Sequence, residues 1–353
     1  MPVTAGIYTN ISYLFMMEYR NELNAEARKL HLRLSKAGWT LNDCAIIAPL
    51  TLEINALKKE QDAIILSHSY QTPDIMYGVA DYIGDSYGLS VLAAAKKARK
   101  IIFCSVHFMG ETAKLLSPEK EVLVPSVAGC SLAESIRPHQ VRELRKIHPH
   151  AGIVCYVNTS AAVKAECDVC CTSANVVSII EAMPQKDIIF LPDMLMGMNM
   201  RHMTSKNIIL WKGTCIVHER FSPESVTEIR KQYPHAKILA HTECVPEVVK
   251  EVDMAGSTSQ MLTFVKNSEA KQFMLVTECG LSDRVRAEFP DKEIVGTCSL
   301  CPYMKQISLK DVLAALKNPR PEQRIEIPAD IAVRARRTLD RMFELEKEWR
   351  PRL

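Results

Sequence analysis

The sequence predicts an α/β fold made of three similar small units, each a short parallel sheet covered by helices on both faces. Two observations carry the prediction. Strand-like apolar runs alternate with helical segments from residue 63 onward, which is the pattern of parallel strands joined by crossover helices. Two motifs also recur three times, spaced roughly a quarter of the chain apart, as one folding unit used repeatedly would place them. The first is an Asp, three residues, and then a polar residue with a hydroxyl or two hydroxyls: Asp81…Asp85-Ser86, Asp168…Thr172-Ser173 and Asp253…Ser257-Thr258. The second is a strand-like run ending in a ring, with a polar residue two positions on: His68 and Tyr70, Tyr156 and Asn158, His241 and Glu243.

The elements follow in order. "YRNELNAEARKLHLRLSKAG" (19–38) reads as a polar helix ended by Gly38. In the first unit "AIILSH" is a strand, "YGLSVLAAAKKA" a helix, and "KIIFCSV" and "EVLVP" are strands leading to Cys130. The second unit runs through the strand "GIVCYVN", the helix "TSANVVSIIEAM" and the strands "DIIFLPD" and "NIILW" to Cys215. The third runs through "KILAHTE", "STSQMLTFVKN", "KQFMLVTE" and "KEIVG" to Cys301. An "RK…PHA" run begins at Arg145 and again at Arg230. Three strands are expected per unit, and two helices at about 308–317 and 329–348 close the chain. The expected organisation is an N-terminal extension (1–52) packed on the surface, repeat units at 53–137, 138–222 and 223–305, and C-terminal helices at 306–353.

Composition narrows the class. With 47% hydrophobic and 24% charged residues, the 353-residue chain is ordinary globular material with room for a sizeable core. A net charge of +3 with scattered basic residues excludes a nucleic-acid footprint. No apolar run is long enough for a membrane span, and the N-terminus lacks a secretory pattern, so the expected location is cytoplasmic. Twelve cysteines in a reducing compartment are not expected to form structural disulfides. No G-x-G-x-x-G and no P-loop motif is present, which argues against dinucleotide and nucleoside triphosphate sites.

Three features point to chemistry. Cys130, Cys215 and Cys301 lie 85 and 86 residues apart, each after the last strand of its unit. Such thiols either converge on an iron–sulfur cluster, leaving one iron open as a Lewis acid, or are ordinary loop thiols. Cys298 and Cys301 form a C-x-x-C, which fits a zinc half-site or a redox dithiol as well, and spacing alone leaves open which of them would be the third ligand and whether the two pair under oxidation. Cys167, Cys170 and Cys171 read as strand and turn, His218 makes a C-x-x-H with Cys215 and is either a ligand or a residue behind one, and the Met-rich run 193–203 reads as core or lid packing. The rings and polar residues of the second motif lie at the carboxyl ends of strands, where parallel sheets bind ligands. The hydroxyls of the first motif stand where helices begin, and serve as N-caps or as anion sites.

The runs "SHSYQTPDI", "ADYIGDS", "FMGETAKLLSPEK", "YVNTSAAVKAECDVCCTSAN", "GTCIVHERF", "HTECV", "AGSTSQM" and "CPYMK" occur in an order that closely resembles the quinolinate synthase family, across roughly residues 53–345. The resemblance implies three pseudo-symmetric α/β/α domains around one 4Fe–4S cluster per chain, with ligands at Cys130, Cys215 and Cys301. Cys301 is preferred because the family's third ligand precedes the Met of the C-P-aromatic-M run by three residues. It implies condensation of iminoaspartate with dihydroxyacetone phosphate to quinolinate, phosphate and water, and functional coupling to L-aspartate oxidase. It places substrate contacts at His68, Ser86, Tyr156, Asn158, Ser173, His241, Glu243, Ser257 and Thr258, and acid–base roles at Tyr70 and Glu243. "SHSY", "HTEC" and Met196 in "PDMLMG" depart from the commoner family spellings but keep His68, Tyr70, His241 and Glu243. A cluster-dependent hydro-lyase is the alternative; it would not need a phosphate-bearing substrate. An electron-transfer protein would use four ligands, and the radical-enzyme trio C-x-x-x-C-x-x-C is missing.

Overall fold

The computed structural model describes residues 5–349, with side chains from 17 to 348. The first four residues of the expected extension and the last four of the expected C-terminal segment lie outside the described residues. Three four-stranded sheets, all parallel, make the frame. The first contains β1 (Ala63–His68), β2 (Tyr82–Gly84), β3 (Lys100–Cys104) and β4 (Glu121–Leu123) in the order β2-β1-β3-β4. The second contains β5 (Gly152–Tyr156), β6 (Val169–Cys171), β7 (Asp187–Leu191) and β8 (Asn207–Leu210), ordered β6-β5-β7-β8. The third repeats the pattern with β9 (Lys237–His241), β10 (Met254–Gly256), β11 (Gln272–Val276) and β12 (Glu293–Ile294), ordered β10-β9-β11-β12.

Each sheet therefore has one more strand than the sequence suggested. The additional strands β2, β6 and β10 are the three residues between the Asp and the hydroxyl positions of the first motif. They sit at sheet edges and are too short to show a two-residue alternation.

The Asp of that motif has a structural job, and it is the same in all three units. Asp81 accepts the backbone N–H of Ile65 at 2.8 Å, Asp168 that of Ile153 at 2.8 Å, and Asp253 that of Ile238 at 2.9 Å. A cation closes each bracket: Lys58 on Asp81 (2.9 Å), Arg145 on Asp168 (2.8 Å) and Arg230 on Asp253 (3.2 Å). The repeated "RK…PHA" run is thus explained by the pairing of its Arg with the Asp that follows the next strand.

The helix Leu41–Glu60 starts in a Thr40/Asp43 capping box and buries Ile54 under the first sheet, beside the helix Leu309–Lys317. The preceding helix, Ala5–Leu34, lays Ala27, Leu30 and Leu34 against Cys44 and Ala48, and a short turn then ends at Gly38 with φ 89°. Only glycine takes that left-handed conformation cheaply. The closing helix Ala329–Trp349 buries Ala335, Leu339, Met342 and Leu345 in the core of the second sheet.

Asp253 is held below the ordinary carboxylate range: burial alone would raise it, but the Ile238 N–H, Lys237 and Arg230 outweigh burial. Replacing Asp253 by Ala is expected to cost about 1–3 kcal/mol in urea unfolding at neutral pH, since a buried N–H loses its acceptor. That difference should be complete above the unfolded carboxyl value of about 3.9 and shrink as pH falls below it. A wild-type and variant pair that unfold together at neutral pH would remove the bracket from the account of the fold.

Candidate active site

The carboxyl ends of all three sheets open onto one cavity. Its walls take His68 and Tyr70 from the end of β1, Tyr156 and Asn158 from β5, and His241 and Glu243 from β9. Ser86, Thr172, Ser173 and Thr258 lie on the same walls, as do Cys130, Cys215 and Cys301. Ser257 is placed differently. Its hydroxyl caps the helix Thr258–Asn267 by accepting from Gln260, and it lines the adjoining groove. Capping also differs between units. Asp85, not Ser86, caps the first of these helices, and Thr172 bonds Asn175 while the helix begins at Val176.

The cysteines separate by exposure. Of the ten free thiols, seven are buried and only Cys130, Cys215 and Cys301 are partly open. Burial pushes the Cys130 thiol up to about 12 and raises Cys215 and Cys301 as well. Neighbouring charge adds to the rise at Cys130 and Cys215, Glu243 foremost and then the facing thiols. The expectation of no disulfide is corrected: Cys279 and Cys298 are bonded, with Cα atoms 5.1 Å apart. The physical reason is local pairing. The loop before Cys301 runs beside the start of the helix Cys279–Glu288, with Cys279 N–H on the Ser299 carbonyl at 3.1 Å. Cys298 is thereby occupied, and Cys301 is the free thiol of the C-x-x-C.

Glu243 is the electrostatic centre. It is 3% exposed, accepts the Tyr156 hydroxyl at 2.8 Å, and meets His218 Nδ1 at 2.8 Å. Burial would raise its pKa, but His241, His218 and these hydrogen bonds prevail and hold it well below the usual range, so it is ionised. The chain of contacts continues outward. His218 Nε2 meets the Thr277 hydroxyl at 2.9 Å, and Thr277 meets the Tyr70 hydroxyl at 2.7 Å. In the Nδ1–H tautomer, His218 donates to Glu243 and accepts from Thr277, which then accepts from Tyr70. One continuous hydrogen-bonded path thus links the two residues expected to handle protons. Burial, then Glu243, push both Tyr70 and Tyr156 far above the ordinary phenol value, so both remain proton donors.

Tyr70 is fixed from behind. Lys305 donates to its carbonyl at 2.5 Å and pairs with buried Glu278 at 3.0 Å, while Glu278 also accepts the Cys301 N–H at 3.2 Å. Gly280 packs so closely that a Cβ would stand 2.8 Å from the Tyr70 backbone. Asn158 is held similarly. Fully buried Lys164 donates to the carbonyls of Val157 (2.8 Å) and Thr159, on either side of it. The Asn158 Oδ1 is buried without a partner. Among the described residues no Lys or Arg lines the cavity, so an anion there would rest on hydroxyls, imidazoles and backbone N–H groups.

His218, Thr277, Glu278 and Lys305 were not among the expected site residues. His218 was noted as the C-x-x-H partner of Cys215, either a ligand or a residue standing behind one. Thr277 and Glu278 follow β11 directly, so the strand-end rule that selected His68, Tyr156 and His241 would have found them if applied to the middle strands as well.

A family model described as quinolinate synthetase A protein matches residues 52–344. The quinolinate synthase of Xylella fastidiosa (strain Temecula1 / ATCC 700964) is 46% identical over 290 residues, covering 82% of this chain and 85% of the relative. That of Sinorhizobium fredii (strain NBRC 101917 / NGR234) is 45% identical, covering 86% and 84%. That of Caulobacter vibrioides (strain NA1000 / CB15N) is 43% identical, covering 84% and 82%.

Burial lowers the pKa of His68 and His241 to about 4. The unfolded chain takes up these protons from about pH 6.5, whereas the fold refuses them until about 4. Acidification through that window should therefore destabilise the protein. Ring signals of both histidines in a nuclear magnetic resonance titration of the cluster-free chain are expected to stay neutral at about pH 5.5. Titration near 6.5 would mean that both rings are open to water.

Proposed function

The chain belongs to the quinolinate synthase family, and on that premise we propose that it condenses iminoaspartate with dihydroxyacetone phosphate to give quinolinate, phosphate and water. It is an enzyme of the transferase class. One observation supports the reading most: three partly exposed free thiols, one from each unit, line the same cavity as an ionised carboxylate tied to two tyrosines.

The donor set fits an iron–sulfur cluster. Cys130, Cys215 and Cys301 would hold it, and a coordinated metal removes the protons that burial otherwise keeps on these sulfurs. A 4Fe–4S cluster with three protein thiolates supplies a Lewis acid at its remaining iron. The rest is work for side chains. Glu243, ionised and buried, is the base that removes a proton next to a carbonyl or imine. Tyr70 is the matching donor for a departing hydroxyl, and the path through Thr277 and His218 connects the two. The unpartnered Asn158 Oδ1 accepts from a substrate N–H or O–H. His68, Ser86, Ser173, His241 and Thr258 surround the substrate carboxylates and phosphate with neutral donors, and Tyr156, whose proton is given to Glu243, lines the same wall. Iminoaspartate must come from oxidation of the aspartate amine, which is why coupling to L-aspartate oxidase belongs to this reading. No helix among the described residues is long and apolar enough to cross a membrane, and we place the enzyme in the cytoplasm.

Anaerobic protein given iminoaspartate and dihydroxyacetone phosphate should release quinolinate, detected by its ultraviolet absorbance and mass. Turnover that proceeds without the phosphate-bearing substrate would point instead to a hydro-lyase. Cys215→Ser should lose its iron and colour, while Cys155→Ser keeps both; a fully coloured Cys215→Ser would end the ligand assignment.

Thr277→Val removes the hydroxyl between His218 and Tyr70 and keeps the shape of the side chain. Turnover is expected to fall about 10-fold or more with little change in KM, and Thr277→Ser should restore most of it. A Val variant with wild-type kcat would show that the path is not used.

A further inference from the structure

Cys215 Sγ, His218 Nδ1 and the Glu243 carboxylate form a second constellation that shares one residue with the cluster set. Their ligand atoms all lie within 4.8 Å of one another. His218 Nδ1 stands 3.2 Å from Cys215 Sγ and 2.8 Å from Glu243 Oε2. These separations resemble those between neighbouring ligands on one small cation. His218 and Glu243 are buried, and Cys215 opens onto the cavity.

The groups behind the ligands are also in place. A metal-binding imidazole needs its other nitrogen hydrogen-bonded, and a metal-binding carboxylate needs its remaining oxygen satisfied. His218 Nε2 has Thr277 at 2.9 Å, and Glu243 Oε1 has the Tyr156 hydroxyl at 2.8 Å. Two anionic ligands and one neutral ligand match the charge of a divalent ion. Mixed sulfur, nitrogen and oxygen donors suit zinc better than magnesium or calcium.

We infer that the cluster-free chain binds one divalent transition-metal ion, best matched by zinc, through Cys215, His218 and Glu243, and that this ion and the cluster exclude each other. The exclusion rests on the proposed cluster ligands; the zinc site itself does not. Binding releases the Cys215 thiol proton to solvent. The remaining imidazole proton moves to Nε2, where it donates to Thr277, and the fourth position faces the cavity and is open to water. Zinc in this corner occupies Glu243 as well as Cys215, so it withdraws both a cluster ligand and the base.

The site set differs from the cluster set, and that separates them. Cluster-free protein, prepared anaerobically with a chelator, is given zinc and freed of excess by gel filtration. Metal is then counted by mass spectrometry. Wild type and Cys301→Ser are each expected to keep one zinc per chain. His218→Ala should lose it, yet take up about four irons on cluster reconstitution. Tyr156→Phe, which leaves every ligand in place, should weaken zinc about 10–100-fold. Cobalt in place of zinc should give a sulfur-to-cobalt charge-transfer band that Cys215→Ser abolishes.

Zinc retained in full by folded His218→Ala, or lost from Cys301→Ser, would overturn the assignment. So would a wild-type chain that holds no zinc. A zinc-loaded chain that takes up its full iron and keeps its zinc would overturn the exclusion. Failure to form quinolinate would count against the proposed reaction and leave these metal counts unaffected.

Discussion

The site depends on one buried negative charge. Glu243 lies where water cannot solvate it, and an unpaired carboxylate there would cost several kcal/mol, about 3–5 by the usual measure of a broken buried pair. It is stabilised by His241 of its own unit and by groups from another: Tyr156 ends the second sheet's β5, and His218 follows β8 of the same sheet. The path then returns to the third unit at Thr277 and ends on the first at Tyr70. Holding that charge therefore requires all three sheets to be in register around the cavity. The same contacts hold Tyr70 and Tyr156 protonated while Glu243 stays ionised, so the acid and base assignments come from one electrostatic arrangement.

The absence of Lys and Arg from the cavity wall follows from the same constraint. A cation beside Glu243 would neutralise the base and compete with the histidines for it. Substrate anions are better held by dipoles, which offer hydrogen bonds without a full opposing charge. The cations that are present act from behind. Lys164 and Lys305 donate to main-chain carbonyls beside Asn158 and at Tyr70, fixing loops and not touching the cavity.

Much of the fold was legible because the repeat leaves the same marks three times. The rings at the ends of β1, β5 and β9, and the cysteines after β4, β8 and β12, are each at corresponding places. What was not legible has physical reasons. Strands β2, β6 and β10 are three residues long, and their partner is a backbone rather than an alternating side-chain face. Thr277 stands at a strand end where the same rule could have found it, but its link between His218 and Tyr70 forms only when those residues arrive from other units. The Cys279–Cys298 bond joins residues 19 apart, and nothing in the spacing distinguishes them from ten other thiols. Ser257, expected from the resemblance to contact substrate, lines the adjoining groove, where its hydroxyl accepts the Gln260 N–H.

The two ends of each unit obey different rules, and the contrast separates structure from function. At the Asp bracket all three units use the same chemistry: a carboxylate between a strand N–H and a cation. Each faces the same task, which is to tie an edge strand to its neighbour, so one solution serves three times. At the cavity the equivalent positions diverge into Tyr70, Asn158 and Glu243, which are respectively a phenol, an amide and a carboxylate. A symmetric trio of carboxylates there would repel one another, and a symmetric trio of phenols would hold no base. Only the cysteines keep one identity at the cavity end, as expected if their three sulfurs face a single partner that treats them alike. Identity across the repeat thus marks a task that is the same in every unit, whether a strand bracket or a shared partner, and divergence marks a task that each unit meets differently.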